Sequence, residues 1–165
     1  MADTLHHYAS QLHWTGNRGN GTADYAGYGR DYTLQVPGKA ALTGSADPAF
    51  RGDPALHNPE DLFVGALAAC HMLTYLALCA HAGIRVLAYH DQAQGWLELH
   101  PGRGGRFREV ALAPRVTIAA DSDAARAHAL HAQAHAQCFI ANSCAVAVRC
   151  EATIVHGEAT AEALR

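Results

Sequence analysis

Thiols are the side chains here whose type and spacing could do chemistry. Five cysteines stand at 70, 79, 138, 144 and 150. Cys70 lies near the middle of a long apolar stretch, with Ala68 and Ala69 leaving room around its sulfur. Cys138 ends a second helical segment, so the two thiols can meet if those helices pack together. Two such thiols suit two-step redox chemistry: one attacks an oxidant and becomes a sulfenic acid, and the other condenses with it to a disulfide. Cys79 is nine residues beyond Cys70, about half a turn round the same helix, and cannot partner it there. Cys144 and Cys150 share one face of a strand and are expected in the core. A helical cysteine with no other support is most often core as well.

The element that positions Cys70 spans residues 58–83. Asn58 is an N-cap, Pro59 occupies the first turn, and Glu60 and Asp61 place negative charge at the positive end of the helix. His81 and Gly83 mark its end. Between them, residues 62–80 run 19 positions without a formal charge. A helix apolar on every side is expected to be buried on every side. The run is long enough to span a bilayer. It is single, however, carries His71 and Thr74 centrally and has no basic cluster beside it, so a soluble core helix is expected.

A thiol in mid-helix gains little from the helix dipole, and burial alone raises its pKa. Its thiolate therefore needs a cation. Arg51, in the loop that feeds the helix, is the first candidate, and Arg18, in a Gly-rich turn, the second. Glu60 could hold such an arginine as a bidentate partner. Glu60 and Cys70 are about 15 Å apart along one helix, so the cluster needs a long arginine or a second chain. Leu62, Phe63, His71, Leu73 and Phe139 are expected as walls of a substrate pocket. His128, His131 and His135 share one helical face with Cys138, but no carboxylate or CxxC pattern flanks them, and no metal is expected.

Charged residues are 16% of the 165 and net charge is −3, which argues against nucleic acid or an anionic membrane as partner. The opening residues lack an apolar core, so a cytoplasmic, reducing setting is expected, where five thiols are not a disulfide framework.

Alternation predicts a strand at residues 8–15, a turn follows at 16–21, and two further short strands are expected at 22–28 and 31–36. A loop of about twenty residues follows at 37–56. Beyond the long helix come a strand at 84–100, a turn at 102–105 and a returning strand at 107–119. Asp121, Ser122 and Asp123 cap a second helix from 124 to 137. A strand at 145–155 and a tail at 157–165 complete one domain. The order βββ–α–ββ–α–β predicts an α+β fold with antiparallel sheets over helices.

Two motifs carry a family resemblance over nearly the whole chain. Asn58-Pro59-Glu60-Asp61-Leu62, followed by Ala68-Ala69-Cys70, resembles the NPE(E/Q)L…AAC signature of the OsmC/Ohr family of osmotically inducible and organic-hydroperoxide-resistance proteins. Ala134-His135-Ala136-Gln137-Cys138 resembles its AHxxC, with Phe139 where the family often has proline. The resemblance implies an intertwined homodimer with sheets wrapped around long central helices. It implies that Cys70 reduces organic hydroperoxides and Cys138 resolves it. Glu60 and an arginine complete the site, from the position of Arg51 in the OsmC branch or Arg18 in the Ohr branch. It further implies no bound cofactor and an external dithiol or lipoyl-type reductant. A non-catalytic dimer of this family, binding an apolar small molecule at its interface, is the alternative.

Overall fold

The computed structural model describes residues 4–102 and 104–158. The chain divides into two compact units, residues 1–62 and 63–165. The expected tail beyond residue 158 and Arg103 of the expected turn lie outside the described residues.

The first unit holds an antiparallel meander of β1 (Gln11–Trp14), β2 (Tyr32–Gln35) and β3 (Leu42–Gly44). Its register stacks Leu12 on Leu34 on Leu42, and sets Trp14 beside Tyr32 and Tyr32 beside Gly44. Only glycine fits that last position, since a Cβ there would lie 2.3 Å from the Tyr32 ring.

Two expectations change in this unit. Residues 22–28 form turns, not a strand. Arg30 donates to the carbonyl oxygens of Tyr28 and Tyr25 and lies over both rings, so local bonds replace a ladder. Residues 37–56 are not a featureless loop, because they contain β3 and a short 3-10 turn, Pro48–Phe50. Buried Ser45 ties that segment together, donating to Asp31 (2.9 Å) and accepting from the Asp53 backbone (3.1 Å).

Helix α1 (Pro59–His81) opens with a reciprocal cap: Asn58 accepts from the Asp61 N–H (2.8 Å) and Asp61 from the Asn58 N–H (3.2 Å). Its buried residues are Leu67, His71, Tyr75 and Cys79. That is one stripe at four-residue steps, where burial on every side was expected. Ala66, Ala69, Leu73, Ala77 and Ala80 lie exposed. The elements of one chain cover one face of the helix and leave its small-residue face open.

In the second unit each long apolar segment breaks once and contributes to two sheets. Residues 84–100 give β4 (Val86–Asp91) and β5 (Gln94–His100); residues 107–119 give β6 (Gly104–Leu112) and β7 (Pro114–Ala119). The final segment gives β8 (Ala147–Cys150) and β9 (Thr153–Gly157). One sheet has the order β4-β7-β9 and the other β5-β6-β8. The breaks face one another, and the Asp91 carboxylate accepts from the Ala113 N–H (2.8 Å) across them. The sheets are mixed and not purely antiparallel as expected: β8 runs parallel to β6, and β9 to β7. The helical crossover before β8 permits this.

Each sheet covers its own core. Leu67 packs with Val110 and Leu112, whereas Tyr75 and Cys79 pack with Val116, Ile118, Ala127 and Ala134. Helix α2 (Ala124–Gln137), capped by Asp123, buries Ala127, His131 and Ala134, and α3 (Phe139–Asn142) follows after Cys138.

The cap on α1 gives the first test. Asn58→Ala should destabilise the chain by about 1 kcal/mol, measured by denaturant unfolding. Asn58→Ser, which keeps an acceptor, should recover most of that loss.

Candidate active site

Helices α1 and α2 set the site by packing in opposite directions. The Tyr75 hydroxyl donates to the Ala127 carbonyl oxygen (3.2 Å), and His71 meets His131 (3.0 Å). As numbers fall along α1 they rise along α2, so the end of α2 comes to the first half of α1. Small side chains at Ala127 and Ala134 permit this close approach. Cys138, continuing the buried stripe of 127, 131 and 134, there comes near enough to Cys70 for each thiol to shift the other's pKa.

The two thiols are shifted in opposite directions. Burial raises the Cys70 pKa, but the Cys138 side chain, the backbone N–H groups of Ile140 and Phe139, and Thr74 outweigh it and hold that thiol below its ordinary value. Thr74 contributes least: its one hydroxyl proton also goes to the Cys70 carbonyl oxygen (2.9 Å). Burial raises Cys138, and the neighbouring Cys70 raises it further. Cys70 is half-buried and Cys138 is 1% exposed. The more accessible sulfur is therefore the more acidic of the two, and the enclosed one the less acidic. Both are free cysteines.

The other expected site residues are distributed as follows. Arg18, Arg51 and Glu60 belong to the first unit, and the cysteine pair to the second. Arg18 sits in a turn where the Asn17 side chain accepts from the N–H groups of Gly19 and Gly21. Arg51 closes the 3-10 turn with φ of 68°, in the left-handed region. Glu60, half-buried, acts with Asp61 on Tyr32, whose pKa is raised by burial first and by those charges next. Leu62 is half-buried at the end of the first unit.

Phe63 packs on Phe107 with tilted rings (4.9 Å between centroids) and lines an open groove of 390 Å³ with Cys144 and Val146. Leu73 and Phe139 are exposed, at 62% and 79%. His71 does not face outward as a pocket wall. It is buried and turned to His131 and Cys150. His128 and His135, expected on one face with His131, are exposed.

Three features escaped the sequence reading. The backbone donors of Phe139 and Ile140 depend on how the chain turns after Cys138, which no residue type announces. Thr74 stands four residues after Cys70, one helical turn on, and that spacing could have revealed it. The cluster of His71, His131 and Cys150 joins α1, α2 and β8 with no local sequence signal. Its facing atoms, two ring nitrogens and a sulfur, could hold a metal.

Comparison with known proteins bears on the family and the fold. The family model described as OsmC-like protein matches residues 52–153. An OsmC-like protein of unknown function from Vibrio cholerae is 29% identical, with a TM-score of 0.81 over 90% of this chain and all of that one. An organic hydroperoxide resistance protein OsmC from Legionella pneumophila shares the fold at 20% identity, with a TM-score of 0.64 over 92% of this chain and 98% of that one. The uncharacterized protein YmaD of Bacillus subtilis is 24% identical over 146 residues, covering 87% of this chain and 88% of the relative.

The thiol shifts give a pH test. Alkylation of Cys70 should increase with pH and inflect below the ordinary thiol value, because the thiolate forms early. Cys138→Ala removes its main donor and should move the inflection upward, and Thr74→Val should move it less. Peptide-resolved alkylation rates across pH check both. Equal inflections in all three proteins would sink the electrostatic account.

Proposed function

Since the chain belongs to the OsmC-like family, we propose that it is a thiol peroxidase that reduces organic hydroperoxides in oxidative stress defence. The observation that carries this is the neighbouring pair of free cysteines, Cys70 half-buried and Cys138 enclosed, with pKa values shifted in opposite directions. A peroxidatic sulfur must be a thiolate that the oxidant can reach, and a resolving sulfur must be close and stay protonated until needed.

In the proposed cycle the Cys70 thiolate attacks the terminal oxygen of the hydroperoxide. The S–O bond forms as the O–O bond breaks, and the alkoxide leaves and takes a proton to become the alcohol. Sulfur is thereby oxidised to the sulfenic acid. The Cys138 sulfur then attacks the Cys70 sulfur, and its thiol proton leaves with the displaced hydroxide as water. An external dithiol, of lipoyl or related type, reduces the resulting disulfide and restores both thiols. Arg51, or Arg18 in the alternative arrangement, would stabilise charge developing on the peroxide oxygens, with Glu60 orienting it.

A homodimer in the cytoplasm is the proposed working form. The exposed face of α1, from Ala66 through Leu73 to Ala80, supports it, since small side chains allow close helix approach and a second copy would cover them. Exposed Leu73 and Phe139, with Leu62 and Phe63, favour an alkyl or aryl hydroperoxide over hydrogen peroxide.

Reduced protein mixed with one equivalent of cumene hydroperoxide should lose two thiols rapidly and give a Cys70–Cys138 disulfide by peptide mass. Cys70→Ser should abolish the reaction, and Cys138→Ser should leave a trappable sulfenate. Survival of all five thiols would transfer the assignment to a non-catalytic dimer that binds an apolar small molecule at its interface. Arg51→Ala should slow the first step on the order of 100-fold, with a smaller loss for Arg18→Ala. The reverse ranking would exchange their roles.

A further inference from the structure

We propose that His71, His131 and Cys150 form a binding site for a zinc-type divalent cation, separate from the Cys70–Cys138 pair and independent of the peroxidase reading. The three residues come from α1, α2 and β8 and meet between the two sheets of the second unit. Convergence from three elements is what distinguishes a built site from a chance run on one helix face. His71 is 1% exposed and His131 5%.

The distances fit an ion. His71 Nε2 lies 3.0 Å from His131 Nδ1, and the Cys150 Sγ lies 3.6 Å from the first and 3.8 Å from the second. Metal–nitrogen bonds of about 2.0–2.1 Å and a metal–sulfur bond of about 2.3 Å, at tetrahedral angles, place such atoms about 3.3–3.6 Å apart. The triangle therefore already has the size an ion requires, and only shifts of a few tenths of an ångström separate the two.

The chemistry fits as well. Burial first, and neighbouring imidazoles second, push the pKa of His71 and of His131 down to about 4, so both rings are neutral and have lone pairs to offer. Burial first, then Asp91 and Glu151, pushes the Cys150 thiol up to about 11. Without a cation it stays protonated, whereas a bound metal would displace that proton and hold a thiolate. The set is borderline-soft and suits zinc better than magnesium or calcium, which prefer oxygen.

The surroundings call for a further charge. Between two neutral rings only one facing nitrogen can carry a proton, and either tautomer leaves His71 Nδ1 and His131 Nε2 buried without a partner. Tyr89 Oη and Asp91 Oδ2 are also buried and unpartnered. Asp91 acts electrostatically on both Tyr89 and Cys150. The two outer ring nitrogens stay N–H groups with or without an ion, so the unpartnered Asp91 carboxylate oxygen is the group that a buried cation nearby would satisfy. A cation held by one thiolate keeps one net positive charge, which the Asp91 carboxylate would balance. Three protein ligands leave a fourth position for water or a small ligand.

The full-length chain, reduced and stripped with chelator, should be titrated with cobalt(II) without oxygen. The expected result is a thiolate-to-cobalt charge-transfer band with tetrahedral visible bands, saturating at one equivalent and displaced by zinc(II). Cys150→Ser should abolish the charge-transfer band, and His131→Gln should weaken binding at least tenfold. Cys70→Ser/Cys138→Ser should leave the band intact. If Cys150→Ser does not fold, X-ray absorption of the zinc-loaded parent chain substitutes, with one sulfur and two imidazole nitrogens expected. Absence of any band, saturation above one equivalent, or a two-sulfur shell would overturn the proposal. So would a band that survives Cys150→Ser but is lost in Cys70→Ser/Cys138→Ser, which places the metal on the redox pair.

Discussion

The packing of Tyr75 between α1 and α2 is the contact on which the second unit depends. Its ring stacks on His131, with centroids 3.9 Å apart, and its hydroxyl donates to the Ala127 carbonyl oxygen. Buried completely, it holds two helices whose own propensities say nothing about each other. The antiparallel alignment it sets brings Cys138 to Cys70 at one level and His131 to His71 at the next. Alanines at 127 and 134 are needed for the same reason, since larger side chains would separate the axes.

Two neighbouring pairs of groups then reach different chemical states through their surroundings. Cys70 is half-buried and gathers donors, which favour the charged form and overcome the cost of burial. Cys150 lies among buried groups with Asp91 and Glu151 acting on it, so burial wins and its thiol is held protonated. Hydrogen bonding and desolvation thus assign these cysteines opposite characters within one unit. The same residue type is a nucleophile candidate at one position and a cation-ligand candidate at the other.

The breaks in the strands connect these sites to the architecture. Asp91 ends β4 and accepts from the Ala113 N–H between β6 and β7. Each long hairpin arm changes sheets at that point, so α1 lays Leu67 against one core and Tyr75 and Cys79 against the other. His71 falls between those residues on the same stripe. Polar groups are concentrated where the ladders are interrupted, because a break leaves backbone groups that need side-chain partners.

Much of the fold could be read from sequence because its signals are local. The Asn58–Asp61 cap, the uncharged run of α1 and the Asp123 cap of α2 each sit within a few residues of the structure they specify. The Asn-Pro-Glu and Ala-His motifs pointed to the family. The strand breaks went unread: pairing with neighbours divides 84–100, and in 107–119 the break falls at Pro114, which cannot donate to a ladder and could have marked it. Residues 22–28 follow a turn signal and were expected as a strand, yet Arg30 bonds there to local carbonyls instead. His71 looked like a pocket wall because it follows Cys70, but a helix turns about 100° per residue, which aims it into the core. By itself the sequence determined where the helices begin and which thiols were available. Tertiary structure alone decided which thiol becomes acidic and which histidines meet, because desolvation and hydrogen bonding depend on neighbours that are distant along the chain.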